Sequence, residues 1–208
     1  MTVTLPAVRT NYGLTALAAA VQGGYLPPLY LVIEDNGSTI SAATAVGATS
    51  IQTVARVDLA GDSQLVLSPG LSTQETVTFS AVSGSGPYTY TISATTQAHA
   101  AGDPVCRMVL ATDTMSQVVS EIQYDSTNAP NQRLQSVSGY STGNGEWTMQ
   151  FYLTGIQASS YIMTVGLSDS ITVGQGNLHA HLIVATNHVF TSLSTATDLE
   201  IDIPLQLS

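Results

Sequence analysis

His179 and His181, separated by one alanine, are the pair of side chains in this sequence best suited to binding a metal. Residues two apart on a β-strand face the same side, so the two imidazoles could share one ion. In a trimer, three such pairs would supply six nitrogen ligands. The alternative is two surface histidines beside a sheet edge. Because no acid or cysteine lies close to them in the sequence, we expect surface histidines and no metal.

A second group of ligand-type residues, Asp198, Glu200 and Asp202, alternates along the last predicted strand and therefore shares one face. Carboxylates grouped in this way can bind calcium. The solvated face of a half-buried strand has the same pattern, and no Asp-x-Asp-x-Asp-Gly loop accompanies it. Glu34 and Asp35 form a smaller cluster. We expect Asp198, Glu200 and Asp202 to form the solvated face of the last strand.

Cys106 is the only cysteine, so neither an intrachain disulfide nor a cysteine-based zinc site can form. A catalytic thiol would need a base, and His99, the nearest histidine in sequence, falls in a loop-like stretch. The sequence also has no Gly-x-Ser-x-Gly elbow, P-loop, His-Glu-x-x-His or dinucleotide fingerprint. The prediction is a chain that is not an enzyme, with no catalytic, cofactor-binding or metal-binding residues.

The charge pattern points to assembly. The 208 residues include 14 acids, four arginines and no lysine, which gives a net charge of -10. This argues against nucleic acid and anionic membranes as partners, since both attract cations. Only 9% of residues are charged, and a surface of hydroxyls and amides without lysine suits permanent interfaces. A monomer whose lineage disfavours lysine would also fit.

Hydropathy indicates a folded chain without a membrane span. Hydrophobic residues make up 44% of the sequence, and the mean hydropathy is +0.22. No stretch approaches the ~20 consecutive apolar residues of a membrane helix. The N-terminus lacks a basic segment followed by an apolar one, so we expect no signal peptide.

One helix is predicted, at residues 11–22. Asn11 can cap it, and apolar side chains recur at spacings of three and four (Leu14, Leu17, Ala18 and Val21). Gly23 and Gly24 can end it. Residues 29–33 then read as a buried strand, followed by a turn at 35–37.

Short strands dominate the rest of the chain. They are predicted to begin near 47–51 and to continue at 64–67, 75–82, 88–92, 147–153, 162–167, 178–184 and 199–205. The strands at 75–82 and 88–92 should pair as a hairpin. Residues 113–122 fit either a strand or one helical turn leading into a strand.

The predicted fold is mainly β: an antiparallel, β-sandwich-like domain with one N-terminal helix and an inserted small β module. In this interpretation residues 43–106 form the module, and residues 1–42 with 107–208 form a discontinuous β-rich attachment domain. Three consecutive units without an insertion are the alternative.

The module sequence resembles a known building block. GATSI at 47–51, SPG at 68–70, ETVTFSAVSGSGPYT at 75–89 and HAAGDPV at 99–105 follow one another in order. This series resembles a small β module found repeatedly in phage tail, fibre and other virion proteins. The resemblance covers about sixty residues and rests on the ordered spacing.

The flanking segments are similar to tail-collar fibre proteins. TNYGL at 10–14 precedes an alanine-rich helix, and VGL at 165–167 and GNLHA at 176–180 match late elements of that family. Thr164 and Val165 stand where the family has Glu-Ile. The resemblance implies a domain that attaches a fibre to the tail or baseplate, with the module projecting towards a neighbour.

The expected function is therefore that of a structural virion protein in a phage tail: a fibre adaptor, collar or baseplate-associated subunit, assembled in the host cytoplasm. Its expected partners are itself, as a trimer, and other tail or baseplate proteins. A capsid decoration or head-fibre protein is one alternative. The other is a carbohydrate-binding receptor module for a host surface glycan, with Tyr88, Tyr90 and Tyr140 as stacking residues. Trp147, with Phe151 and Tyr152, is expected in the core or at an interface.

Overall fold

A computed structural model describes residues 2–4, 8–21, 28–34, 36–118, 120–121, 132–136, 138–143, 146–154, 163–183 and 198–206. These residues divide into two compact units. The split unit takes in the described residues from 2 to 34 and from 109 to 206, and the barrel unit takes in residues 36–108. The insertion of a module at 43–106 stays a prediction.

The described chain contains fifteen strands, one α-helix and one 3-10 turn. In chain order these elements are β1 (Thr2–Thr4), β2 (Val8–Arg9), α1 (Asn11–Val21), β3 (Tyr30–Glu34), β4 (Ser38–Thr39), β5 (Ser50–Thr53), β6 (Gln64–Leu67), β7 (Glu75–Ser83), β8 (Tyr88–Ile92), β9 (Pro104–Arg107), the 3-10 turn (Met115–Gln117), β10 (Leu134–Gln135), β11 (Ser138–Gly143), β12 (Glu146–Thr154), β13 (Thr164–Ser168), β14 (Leu178–Ile183) and β15 (Asp198–Gln206).

The split unit holds a four-stranded sheet in the order β1-β15-β12-β11 and a five-stranded sheet in the order β10-β3-β13-β14-β2. All described pairings are antiparallel except that of β1 with β15. The central strands of the five-stranded sheet are buried on both faces, which suits the apolar run of β3 but also buries polar side chains of β13 and β14. The predicted mainly β, sandwich-like fold with one N-terminal helix is confirmed.

Helix α1 begins one residue earlier than its predicted cap implies. The Thr10 carbonyl accepts the Leu14 N–H at 3.0 Å, and the Thr10 hydroxyl accepts the Gly13 N–H at 3.1 Å. Thr10 is therefore the N-cap, and the prediction of Asn11 was wrong. The predicted apolar face is not buried at Leu14, which is 46% exposed. Instead Gly13 is buried against β14, where a Cβ would overlap the His179 carbonyl.

The barrel unit is one six-stranded sheet in the order β4-β9-β6-β7-β8-β5. The sheet closes on itself because Ser41 N–H donates to Gln52 O at 2.8 Å and Val54 N–H donates to Thr39 O at 2.9 Å. Closure leaves no open sheet edge along these strands. Its core is apolar (Ile40, Ile51, Val57, Leu65, Leu67, Val77, Tyr90, Ile92 and Val105).

Most strand predictions are confirmed. Strands at 64–67 and 88–92 have the predicted bounds, and those at 29–33, 75–82, 147–153 and 199–205 differ by at most one residue at each end. The predicted hairpin is the β7–β8 pair. Residues 113–122 contain one 3-10 turn, and Glu121 then forms an isolated bridge with Glu34. No helix among the described residues has the length and apolar character that a membrane crossing requires.

Candidate functional site

The polar centre of the split unit is built around His181 on β14. Its Nδ1 lies 2.8 Å from a carboxylate oxygen of Asp113, and its Nε2 lies 2.5 Å from a carboxylate oxygen of Glu34. The Thr164 hydroxyl donates to the same Glu34 oxygen at 2.8 Å. The side chains of Glu34 and His181 are 0% exposed and that of Asp113 is 2% exposed. We name Glu34, His181 and Asp113 the carboxylate–imidazole chain.

These hydrogen bonds connect three segments that are distant in sequence. Glu34 ends β3, His181 lies near the end of β14, and Asp113 lies in the loop before the 3-10 turn. Burial by itself would lower the pKa of His181, but the hydrogen bonds and charges of Asp113 and Glu34 outweigh burial and raise it. The two acceptors therefore stabilise the charged form of the His181 imidazole relative to that of a free imidazole.

His179 has a different environment. The β13–β14 register passes from Leu167↔Ala180 to Ser168↔Leu178, so His179 is the extra residue of a β-bulge. Its ring packs edge-on against Tyr12, with centroids 4.9 Å apart, and its Nε2 is 3.5 Å from Asp169. Nε2 forms no hydrogen bond with any described residue. Burial lowers the pKa of His179 despite the neighbouring Asp169.

The expectation of two surface histidines was therefore wrong. His179 is 5% exposed and His181 is 0% exposed. The acids beside the pair come from segments that are distant in sequence or follow another strand. Asp169 lies next to His179, and Glu34 and Asp113 lie next to His181. The bulge also interrupts the alternation on which a shared ion would depend. Among the described residues, no three histidine, cysteine or acidic side chains are placed to hold a metal ion.

A cleft of about 340 Å³ opens beside this centre. Its lining includes Asp113, Thr114 and Ser116 from the loop and turn, together with Tyr12 and Asn177. The wall groups are bonded within the chain: the Tyr12 hydroxyl donates to Asp169 at 3.3 Å, and the Asn177 side chain donates to Asp169 at 3.0 Å. Met115 and Leu178 also line the cleft, and its lining surface is more apolar than polar.

The barrel unit has its own polar cluster, the signature cluster of Ser68, Glu75, His99 and Asp103. Nδ1 of His99 lies 2.8 Å from the Ser68 hydroxyl, and Nε2 lies 2.7 Å from Glu75. The Ser68 hydroxyl donates to Asp103 at 2.9 Å. Hydrogen bonds from Thr96, His99 and Gln97 outweigh the opposing effect of burial and lower the pKa of Glu75.

The signature cluster has the residue types of a hydrolytic triad, but it is built as a structural link. Ser68 is 0% exposed and its hydroxyl proton goes to Asp103, so the hydroxyl is neither accessible nor free to give its proton to His99. Ser68 also has a φ of +49°, a left-handed conformation that its side-chain bonds help to hold. The cluster joins the end of β6, the start of β7 and the loop before β9.

Three of the four arginines form ion pairs inside the chain. Arg107 pairs with Asp62, and Arg56 pairs with Asp58. Arg133 is bidentate to Glu121, and it also donates to the Ser170 and Gln175 carbonyls at 2.8 Å. The side chain of Arg9 lies outside the described ones.

The remaining candidate residues are dispersed. Cys106 is buried on β9. Tyr90 is 0% exposed in the barrel core and Tyr88 packs partly buried against it, so the stacking role expected for Tyr90 was wrong. Phe151 is a core residue of the split unit. The side chains of Tyr140, Trp147, Tyr152, Asp198, Glu200 and Asp202 lie outside the described ones, although their strands are observed.

Sequence reasoning missed both polar clusters. Glu34, at the end of an apolar strand, was the one signal for the carboxylate–imidazole chain, because a buried strand that ends in an acid needs a partner. The ordered series SPG, Glu75 and HAAGD was the signal for the signature cluster. No known protein family, no curated protein and no solved structure matches the chain.

Proposed function

We propose that the chain is a non-enzymatic structural protein of a phage virion, located in the tail as a fibre adaptor, collar or baseplate-associated subunit. It acts by self-association as a trimer and by docking to other tail or baseplate proteins, and it is assembled in the host cytoplasm. Neither nucleic acid nor membrane is a partner in this proposal.

One observation carries the proposal. Three of the stretches through which the sequence resembles the recurrent virion module contain residues that bond one another in the barrel unit, namely Ser68, Glu75, His99 and Asp103. Such a set maintains the shape of a small closed barrel. A building block that recurs in different virion proteins needs a shape of its own, so structural residues are the part of its sequence that should recur.

The distribution of charge gives further support. Arg56, Arg107 and Arg133 are engaged with acids of the same chain, which leaves little positive charge for phosphate contacts. His181 and His99 are likewise engaged in links between segments. These side chains hold the fold together, as a structural role requires.

Light scattering on the purified chain, combined with antibody labelling of particles released by cells that carry its gene, tests the proposal. The expected results are a mass of three 21.6-kDa chains and label on the tails. Label on the heads would instead support the capsid decoration or head-fibre alternative. A strict monomer that labels no particle would contradict both.

A further inference from the structure

The lining of the cleft beside the polar centre carries negative charge. Its described lining residues include neither arginine nor histidine, and the sequence contains no lysine. Asp113 is a lining residue, and Asp169 accepts hydrogen bonds from two others, Tyr12 and Asn177. A cation that enters the cleft would therefore lie near carboxylates and would meet no positive charge among the described lining residues.

The cations that contact the lining residues are matched by carboxylates. Arg133 reaches the Met115 sulfur at 4.0 Å, but its guanidinium pairs with Glu121. His181 lies between the two carboxylates of the carboxylate–imidazole chain. The histidine beside Asp169 has a pKa that burial lowers, so it adds little positive charge at neutral pH. The charge around the cleft is thus negative.

The hydroxyl groups of the lining can accept hydrogen bonds but have no proton left to donate. The Tyr12 hydroxyl donates to Asp169 at 3.3 Å. The Thr114 hydroxyl donates to Gln117 at 2.8 Å, so Ser116 is the donor in the 2.9 Å contact between the Thr114 and Ser116 hydroxyls. The oxygens of Tyr12 and Ser116 keep lone pairs. They suit a ligand group that only donates, and they suit sugar hydroxyls less well, because those also accept.

The apolar part of the lining suits an aliphatic chain. Met115 and Leu178 line the cleft, together with Tyr12, which is 44% exposed. A lysine side chain combines an aliphatic stem with an ammonium group that has three donors and no acceptor. It therefore matches the apolar surface, the acceptors and the negative charge at the same time.

From these observations we infer that the cleft binds a lysine side chain of another protein, with the stem against Met115 and Leu178 and the ammonium group near Tyr12, Ser116 and Asn177. No copy of this chain can supply that side chain, because the sequence contains no lysine. The inference gives the chemistry of the partner in the proposed docking role, and it rests on that role.

Lysine fits this cleft better than arginine. A guanidinium is recognised best by the two oxygens of one carboxylate. Both oxygens of Asp169 already accept hydrogen bonds from Asn177, at 2.7 and 3.0 Å. The Asp113 side chain is 2% exposed and bonded to His181. An ammonium group can use single oxygens on different residues.

An NMR titration of the purified chain, observed at the Met115 methyl and the Asn177 side-chain amide, tests the inference. The ligands are lysine, norleucine and arginine, each with an acetylated amino group and a methylamide, and methyl glucoside as the sugar. Lysine should shift both signals and should bind about tenfold more tightly than norleucine, which has the stem without the ammonium group. Added salt should weaken the binding of lysine.

A positive charge placed in the lining should block the site. Ser116→Lys, at an exposed lining position, should lower the affinity for the lysine ligand by about tenfold or more, because like charges repel. Thr76→Lys adds the same charge at an exposed position of β7, outside the cleft lining, and should leave the affinity unchanged. Equal losses in the two variants would contradict the inference.

The four ligands decide the matter on the unaltered chain even if Ser116→Lys does not fold. The inference is overturned when lysine shifts neither signal, or when norleucine, arginine or methyl glucoside binds as tightly as lysine. Such a result from a trimer that labels tails would leave the proposed function standing. Conversely, selective lysine binding by a monomer that labels no particle would contradict the proposed function and retain the lysine site.

Discussion

His179 and His181 lie two positions apart on β14, and their pKa values move in opposite directions. Burial dominates for His179, whose Nε2 forms no hydrogen bond with any described residue. Two buried carboxylates dominate for His181. The β-bulge at His179 separates these environments.

The first prediction concerns these titrations. For His181 the raised folded pKa gives stability that is complete below the unfolded value, about 6.5, and is lost as pH rises through the folded value. For His179 the lowered folded pKa gives the opposite sign, so stability present above about 6.5 is lost as pH falls. Proton NMR should show His181 titrating above 6.5 and His179 below it. Titration of His179 above 6.5 and of His181 below it would refute this assignment.

The second prediction concerns the signature cluster. Glu75→Gln should destabilise the barrel unit by about 1.5–3 kcal/mol at neutral pH, because charged hydrogen bonds are lost. In the unaltered chain the lowered pKa of Glu75 gives stability that is present above 4.5 and declines as pH falls through the folded value. Urea unfolding between pH 3 and pH 7, followed by circular dichroism, gives the free energy of unfolding at each pH. This free energy should depend less on pH in Glu75→Gln than in the unaltered chain. Thr76→Ala, at an exposed position on the same strand, should keep the pH dependence of the unaltered chain.

The third prediction concerns the barrel core. The Tyr90 hydroxyl donates to Asp58 at 2.7 Å and accepts the Val57 N–H at 3.0 Å. Tyr90→Phe leaves both groups without this partner and should cost about 1–3 kcal/mol of unfolding free energy. Tyr88→Phe is the matched control, since the Tyr88 hydroxyl forms no hydrogen bond with a described residue, and it should be nearly neutral. Equal costs for the two variants would show that the Tyr90 bonds contribute nothing.

The fourth prediction concerns helix docking. Glycine to alanine within a helix ordinarily stabilises by up to about 1 kcal/mol. At Gly13 the new Cβ would overlap the His179 carbonyl, so Gly13→Ala should instead destabilise by about 1–3 kcal/mol. Fluorescence of Trp147, on β12 of the same unit, can follow urea unfolding. Ala18→Gly, at an exposed helix position, should reduce stability only by the difference in helix propensity between alanine and glycine. A gain in stability from Gly13→Ala would disprove close docking.

Local patterns predicted the strands well because alternation and turn residues act over a few positions. Residues 64–67 and 88–92 are examples. The cap of α1 was missed because Thr10 and Asn11 are both good capping residues. What decides between them is where the chain leaves β2, which is a tertiary property.

The polar clusters were missed for a different reason. His181 meets Asp113 and Glu34 across 68 and 147 positions of sequence, and no local pattern reports such a meeting. The bulge at His179 also could not be predicted from the sequence. One extra residue in a strand leaves the pattern of apolar residues around it unchanged, so the pattern does not indicate the bulge. For the signature cluster, the spacing of the motifs was visible, but the bonds between them were not.

The path of the chain through the barrel unit has a consequence for how genes are rearranged. β4 and β9 are antiparallel neighbours, with Ser38 opposite Val105, so the polypeptide arrives and departs at adjacent points. Adjacent strands are about 4.8 Å apart. A DNA segment that encodes such a unit can therefore be gained or lost by recombination within a surface loop of another protein, and the recipient need hardly adjust the spacing of its own loop ends.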